Sequence, residues 1–235
     1  MTRFTRPLLY ILGFLAVEFF LFTFVDRPVS DFMRGVDAAH PAFINFFRSI
    51  TDFAKSKWYL WPSGFALIVC VCAARSRLLT EAQKQRVTKY GHNLFFFFSS
   101  IALSGLITDT LKPILGRARP VEMLREGLYG FRPFTFHSVW NSMPSGHTTT
   151  AATAAYLLIV FFPRGRWLWL AFGAILSISR VMVNAHYMSD IVAGMMVGIL
   201  AVNLMKPRRT STGMFPWLKV FFPLTETEQI ARREL

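Results

Sequence analysis

Three short clusters in this 235-residue chain combine residue types suited to anion binding and nucleophilic chemistry. Lys112-Pro-Ile-Leu-Gly-Arg-Ala-Arg119-Pro120 carries two cations seven residues apart, with Pro113 and Gly116 between them to interrupt regular helix. Both can then turn toward one tetrahedral anion, Arg by bidentate contact and Lys as a point charge. Pro144-Ser-Gly-His147 opens an apolar run. Pro and Ser at a helix start, followed by Gly146, aim backbone N–H groups along the helix dipole at an anion. Ser145 adds a hydroxyl, and His147 a proton it can give near neutral pH. In Ser179-Arg180-x5-His186-x3-Asp190 the imidazole and the carboxylate are four residues apart. On a regular helix they share a face, so Asp190 can hold one ring nitrogen and leave the other as a nucleophile, with Arg180 as a further cation. Each cluster alone has a structural reading: span-flanking charge, a capping turn, an Arg–Asp pair.

The elements that must position these clusters are read from composition. Hydrophobic residues make up 53% of the chain and charged residues 17%, against about 25% in average soluble domains. This excludes a disordered chain and argues against a water-soluble globule. Six apolar runs approach the roughly 20 residues that cross a bilayer: 7–25, 58–74, 93–111, 144–162, 167–185 and 188–205. What remains is too short for a separate soluble domain, so residues 1–235 read as one membrane-embedded unit. The first run is too long for a signal-peptide core and lacks a small-residue cleavage site, so it reads as a retained helix. Cys70 and Cys72, two apart in an apolar run, read as packing residues rather than a disulfide.

The net charge of +13 has two possible meanings, nucleic-acid binding or membrane orientation. Arg3 and Arg6, the 75–92 loop with Arg75, Arg77, Lys84, Arg86 and Lys89, Arg164 and Arg166, and the 206–235 tail with Lys206, Arg208 and Arg209 all fall on one side. The positive-inside rule makes that side cytoplasmic, with both termini inside, and leaves no case for nucleic acid. On the other side, Phe32, Val36, Ala39, Phe43, Phe46, Ile50 and Phe53 recur at steps of three or four. They predict an amphipathic helix, either interfacial on the outer leaflet or packed over the bundle. The outer segment 112–143 breaks the charge rule with Lys112, Arg117, Arg119, Arg125 and Arg132, and an anion bound there would explain it. All three clusters fall at this outer rim, the ends of runs three and five and the starts of runs four and six.

With these motifs in place, the chain resembles the type 2 phosphatidic acid phosphatase family, whose signature is Lys-x6-Arg-Pro, Pro-Ser-Gly-His and Ser-Arg-x5-His-x3-Asp. All three occur without a substitution. The resemblance implies an all-α, polytopic membrane protein with six transmembrane helices and an extracytoplasmic-side active site, joined by an interfacial helix after the first span. It implies a bacterial inner-membrane lipid phosphate phosphatase. His186 would form a phosphohistidine, Asp190 would orient it, and His147 would protonate the leaving group and then activate water. Lys112, Arg119, Ser145, the Gly146 N–H and Arg180 would bind the phosphoryl oxygens. No metal and no cofactor are expected, because fixed cations and a helix end supply the charge stabilisation.

A rim site suits a lipid whose tail stays in the bilayer: phosphatidylglycerol phosphate, phosphatidic acid, undecaprenyl diphosphate or a lipid A phosphate. Arg117, Arg125 and Arg132 either contact further headgroup anions or anchor the loop to anionic lipid. A phosphotransferase would use the same intermediate and is the alternative. Glu18, within the first span, is the feature that favours a transporter, against a Glu that faces the bundle and bonds to a neighbour. Soluble haloperoxidases share the motifs, but six spans argue against that activity.

Overall fold

The computed structural model describes residues 5–206, with side chains from residue 8 onward. Arg3, Arg208, Arg209 and the expected cytoplasmic tail beyond Lys206 lie outside the described residues. The architecture is all-α: α1 (Thr5–Phe20) runs through one π turn into α2 (Asp26–Ala39), then α3 (Pro41–Ile50), α4 (Lys57–Arg75), α5 (Glu81–Leu115), α6 (Pro120–Glu126), α7 (Gly146–Phe161), α8 (Arg166–Met182) and α9 (Met188–Met205) follow. Each of the six apolar runs carries a helix. Among the described residues, four helical stretches are long and apolar enough to cross a membrane: Leu8–Ala39, Pro41–Arg75, Glu81–Leu115 and Met188–Met205. The 16-residue α7 and the 17-residue α8 are shorter.

α7 is the central helix. It packs on α5, α8 and α9, and small residues let the backbones close. A Cβ on Gly194 would stand 2.8 Å from the Ser145 carbonyl, and one on Gly198 2.9 Å from that of Thr149. Threonines of α7 bond inside the bundle: Thr149 and Thr153 donate to the carbonyls four residues back, and Thr108 on α5 donates to the Thr149 hydroxyl at 3.0 Å. Leu8, Ile11, Leu12 and Leu15 on α1, Trp61, Phe65 and Ile68 on α4 and Leu168, Ile175 and Ile178 on α8 are exposed. Such apolar outer faces are what lipid contact requires.

Three local expectations are corrected. The 75–92 segment is mostly helix: a capping box at Thr80, whose backbone N–H meets Gln83 Oε1 at 2.9 Å, starts α5 at Glu81. Lys84, Arg86 and Lys89 ride on its first turns. Pro113 does not end α5 either; the helix runs on to Leu115 and stops at Gly116 in the left-handed region. The amphipathic helix expected after the first run is two helices broken at His40, where Pro41 starts α3. Its apolar residues divide between the two expected settings. Val29, Met33, Val36 and Ile44 pack against Val181 and Ile191, whereas Phe32, Phe43, Phe46 and Phe53 point away and are exposed. Cys70 and Cys72 are free thiols.

Candidate active site

The Lys112–Arg119 cluster is shaped by a strap. Gly116 adopts φ +60°, and a Cβ there would lie 1.8 Å from the Arg132 carbonyl oxygen. Only glycine allows the Arg132 N–H to reach the Gly116 carbonyl at 2.6 Å. Ala118 N–H bonds to Gly130, Arg119 N–H to Val139, and Ser142 N–H to the Arg117 carbonyl. Residues 116–119 are thus threaded between two arms of the loop that follows α6. The Arg119 guanidinium donates to the carbonyls of Ser138 and Asn141 at 3.2 and 3.3 Å, which fixes its direction.

Lys112, on the last turn of α5, reaches the second cluster. Its Nζ would sit 3.4 Å from a Cβ built on Gly146, so the ammonium lies directly over the start of α7. Ser145 caps that helix, accepting from Thr148 N–H at 3.4 Å. Lys112, Gly146 and His147 line a cavity of about 390 Å³ with Thr108, Asp109 and Lys55.

The third cluster forms the wall behind. His186 is not on a helix but in the turn before α9, and it is 4% exposed. The pairing with Asp190 therefore arises from capping rather than from a shared helical face, which corrects the expected geometry. Asp190, in the first turn of α9, accepts the Tyr187 N–H at 2.9 Å with Oδ2, and the same oxygen stands 3.5 Å from His186 Nδ1. Ser142 donates to that oxygen at 2.5 Å and lies 3.5 Å from the same ring nitrogen. Nδ1 is thus the held nitrogen and Nε2 the free one. Burial holds the His186 imidazole far below the ordinary histidine range, at about 4, although the hydrogen bond and charge of Asp190 draw it back up. Its surroundings therefore favour the uncharged ring.

The clusters are joined directly. Ser145 N–H donates to the Asp190 backbone carbonyl at 3.0 Å. His147 lies within electrostatic reach of His186 and Arg180, and His186 within reach of Arg119 and Arg180. Arg180 donates from Nη1 to Thr51 Oγ1 at 3.0 Å, while its Nε meets no hydrogen-bond partner among the described residues. The eight residues singled out by the motifs therefore occupy one neighbourhood, drawn from α5, the 116–119 strap, the start of α7, α8, the turn before α9 and α9 itself.

Other residues emerge only here. Ser142, Thr51, Lys55 and Asp26 support or border the site, and no motif spacing pointed to them. Arg117 is 0% exposed and bonded to two carboxylates, so it neither touches headgroups nor anchors the loop to lipid. Arg125 and Arg132 are exposed and keep both readings. Glu18 faces the bundle as one reading held, but its carboxyl oxygens have no hydrogen-bond partner among the described residues. It lines a cavity of about 250 Å³ with Arg117, Phe22, Met143 and Ser189.

An α-helical, multi-pass membrane protein that brings a lysine, two arginines, a helix N-terminus and a carboxylate-held histidine together defines a class of phosphate-handling membrane proteins. The chain belongs to the PAP2 superfamily, which it matches over residues 93–210. It is 37% identical over 155 residues to a lipid A 1-phosphatase of Rhizobium johnstonii, covering 63% of this chain and 61% of that one. It is 35% identical over 150 residues to a lipid A 1-phosphatase of Rhizobium etli, covering 63% and 64%. The chain thus spans less than two thirds of the length of these relatives. Its fold is similar to the crystal structure of a transmembrane PAP2-type phosphatidylglycerolphosphate phosphatase from Bacillus subtilis, at TM-score 0.54 and 21% identity over 85% of this chain and 93% of the other.

Proposed function

We propose that the chain is a membrane lipid phosphatase that removes a phosphate from a lipid phosphomonoester or diphosphate through a phosphohistidine. The observation that carries this reading is the single neighbourhood of Lys112, Gly146, His147, His186 and Asp190, with Ser145 N–H bonded to the Asp190 carbonyl. His186 Nε2 attacks phosphorus as the P–O bond to the lipid breaks, and His147 gives its proton to the departing oxygen. Asp190 accepts the Nδ1 proton in a hydrogen bond and balances the positive ring. His147, now a base, takes a proton from water as that water's oxygen replaces the histidine nitrogen on phosphorus. Lys112, Arg119, Arg180, Ser145 and the Gly146 N–H hold the phosphoryl oxygens, which carry the charge of the transition state.

The names of the two rhizobial relatives favour the 1-phosphate of lipid A as substrate. Purified protein in detergent, offered lipid A, phosphatidylglycerol phosphate, phosphatidic acid and undecaprenyl diphosphate, is expected to release phosphate fastest from lipid A and at an unchanged rate in EDTA. Loss of all release in the chelator would overturn the mechanism, and a different ranking would overturn the substrate.

In this reading residues 1–235 form one domain, and α1, α4, α5, α7, α8 and α9 cross the inner membrane with both termini in the cytoplasm. Basic residues on the cytoplasmic side support that orientation. The exposed Phe32, Phe43, Phe46 and Phe53 then rest in the outer leaflet. A single Arg125→Cys in a Cys70→Ser/Cys72→Ser background is expected to react with an impermeant maleimide on intact spheroplasts. Reaction only after permeabilisation would invert the topology.

A further inference from the structure

Behind Asp190 lie two further buried charges, Arg117 and Asp26, that the reaction scheme does not use. Arg117 Nη2 donates to Asp26 Oδ2 at 2.5 Å and Nη1 donates to Asp190 Oδ1 at 2.7 Å, and all three side chains are 0% exposed. Ser189 ties the knot: its hydroxyl donates to Asp26 Oδ2 at 2.6 Å and accepts from Arg117 Nη1, and its N–H donates to Asp26 Oδ1 at 3.1 Å. The rings of Phe22, Tyr129, Phe131 and Tyr187 surround the guanidinium, with centroids 4.4 to 6.0 Å from its carbon. Aromatic walls keep water out, so these charges act in a medium that screens them weakly. Burial works against the Arg117 charge, but Asp190 and Asp26 outweigh it and hold the guanidinium protonated above its ordinary value.

We propose that Asp26 is a positioning residue for the reaction, which shares Arg117 with Asp190 and thereby preserves the negative charge that His186 faces. This rests on the functional reading above. Arg117 paired with Asp190 alone would cancel the carboxylate that must balance a phosphorylated, positively charged imidazole. With Asp26 as a second partner, the three groups sum to one negative charge. Asp26 stands at the start of α2, outside the 93–210 segment that defines the superfamily match. The amino-terminal helices of this chain are thus wired to the nucleophile from the far side.

The charge sum gives the sign of the test. His186 is faced by Asp190 from α9, Arg180 from α8, Arg119 from the strap and His147 from α7. Arg117, Asp26 and the Glu18 carboxyl of α1 stand beyond Asp190. Only neutral His186 attacks, so its protonation sets an acid limb of kcat/KM. Asp26→Asn brings the triad to zero, disfavours imidazolium and moves that limb to lower pH. Arg117→Gln brings it to two negative charges and moves the limb to higher pH.

The expected result, with lipid phosphate turnover followed from pH 3.5 to 8, is opposite displacements of about half a unit or more in the two variants. Asp26→Asn is also expected to lose about tenfold or more in kcat with KM within about twofold of native. Substrate ionisation is common to all variants and cancels. A purely structural clamp would lower activity in both without separating the limbs, and that outcome, or a native limb in either variant that folds, overturns the proposal. Each variant has its own sign, so one that folds is enough to decide. If the native chain releases no phosphate from any lipid, the functional reading fails first. If the native chain is active, His186→Ala is dead and the Asp26→Asn profile is native, only this inference fails.

Discussion

His186→Ala is expected to lose phosphate release by about 10⁴- to 10⁶-fold, the scale on which enzymes lose activity when the covalent nucleophile is removed. Phosphate affinity should survive, because Lys112, Arg119, Arg180 and the start of α7 keep their places. The helices should survive as well. His186 approaches Asp190 and Ser142 only at 3.5 Å, and Asp190 Oδ2 keeps its bonds from Ser142 and the Tyr187 N–H when the ring is gone. The check is a rapid quench in alkaline detergent of the protein with ³²P-labelled lipid phosphate, the trapped label then being tested in acid and in alkali. Label that is acid-labile and alkali-stable should appear on the native chain and be absent from His186→Ala. Residual turnover within tenfold of native would show that phosphorus is attacked by another group.

Asp190→Asn should lose about 10³- to 10⁴-fold in kcat while the residue keeps its volume. The carboxylate accepts from His186 Nδ1, Ser142, Tyr187 N–H and Arg117. An amide in its place turns a donor toward the ring, which then carries its proton on Nε2 and has no lone pair aimed at phosphorus. A second effect accompanies the first. Arg117 loses one of two charge partners, and breaking a buried pair in this way costs about 3–5 kcal/mol. Thermal unfolding in detergent should therefore show Asp190→Asn well below native and His186→Ala close to it. Equal stability of the two variants would mean that Arg117 is satisfied elsewhere.

The different outcomes for the arginines show what is legible in spacing. Arg119 and Arg180 belong to motifs whose residue types already state their purpose. Arg117 differs from them by nothing visible in one dimension: it sits in the same basic outer segment, two residues from Arg119. Its carboxylate partners are 91 and 73 residues away, and its aromatic walls come from the π turn after α1, the loop after α6 and the turn before α9. The same holds for Ser142, which acts on an aspartate 48 residues later. For His186 and Asp190 the i, i+4 spacing indicated the right pair for the wrong reason. The start of α9 is set by a capping bond from Asp190 to the Tyr187 N–H, which leaves His186 in the turn. The apolar periodicity after the first span likewise predicted helix but left open which of its apolar residues face the bundle and which face away. In a membrane protein, outward residues are as apolar as inward ones, and hydrophobicity loses its power to tell them apart.

The sequence by itself determined the class of element, the apolar runs, the segments in which basic residues gather and the three motifs. These are local properties: run length against bilayer thickness, charge along the chain, and donors and cations at short spacing. Only the tertiary structure decided which ring nitrogen of His186 is free, that Lys112 lies over Gly146, and that Arg117 turns inward to Asp26 and Asp190 instead of outward to lipid. Those outcomes depend on groups that meet only after α1, α2, α5, α7 and α9 have packed. A buried charge takes whichever partners that packing leaves within reach.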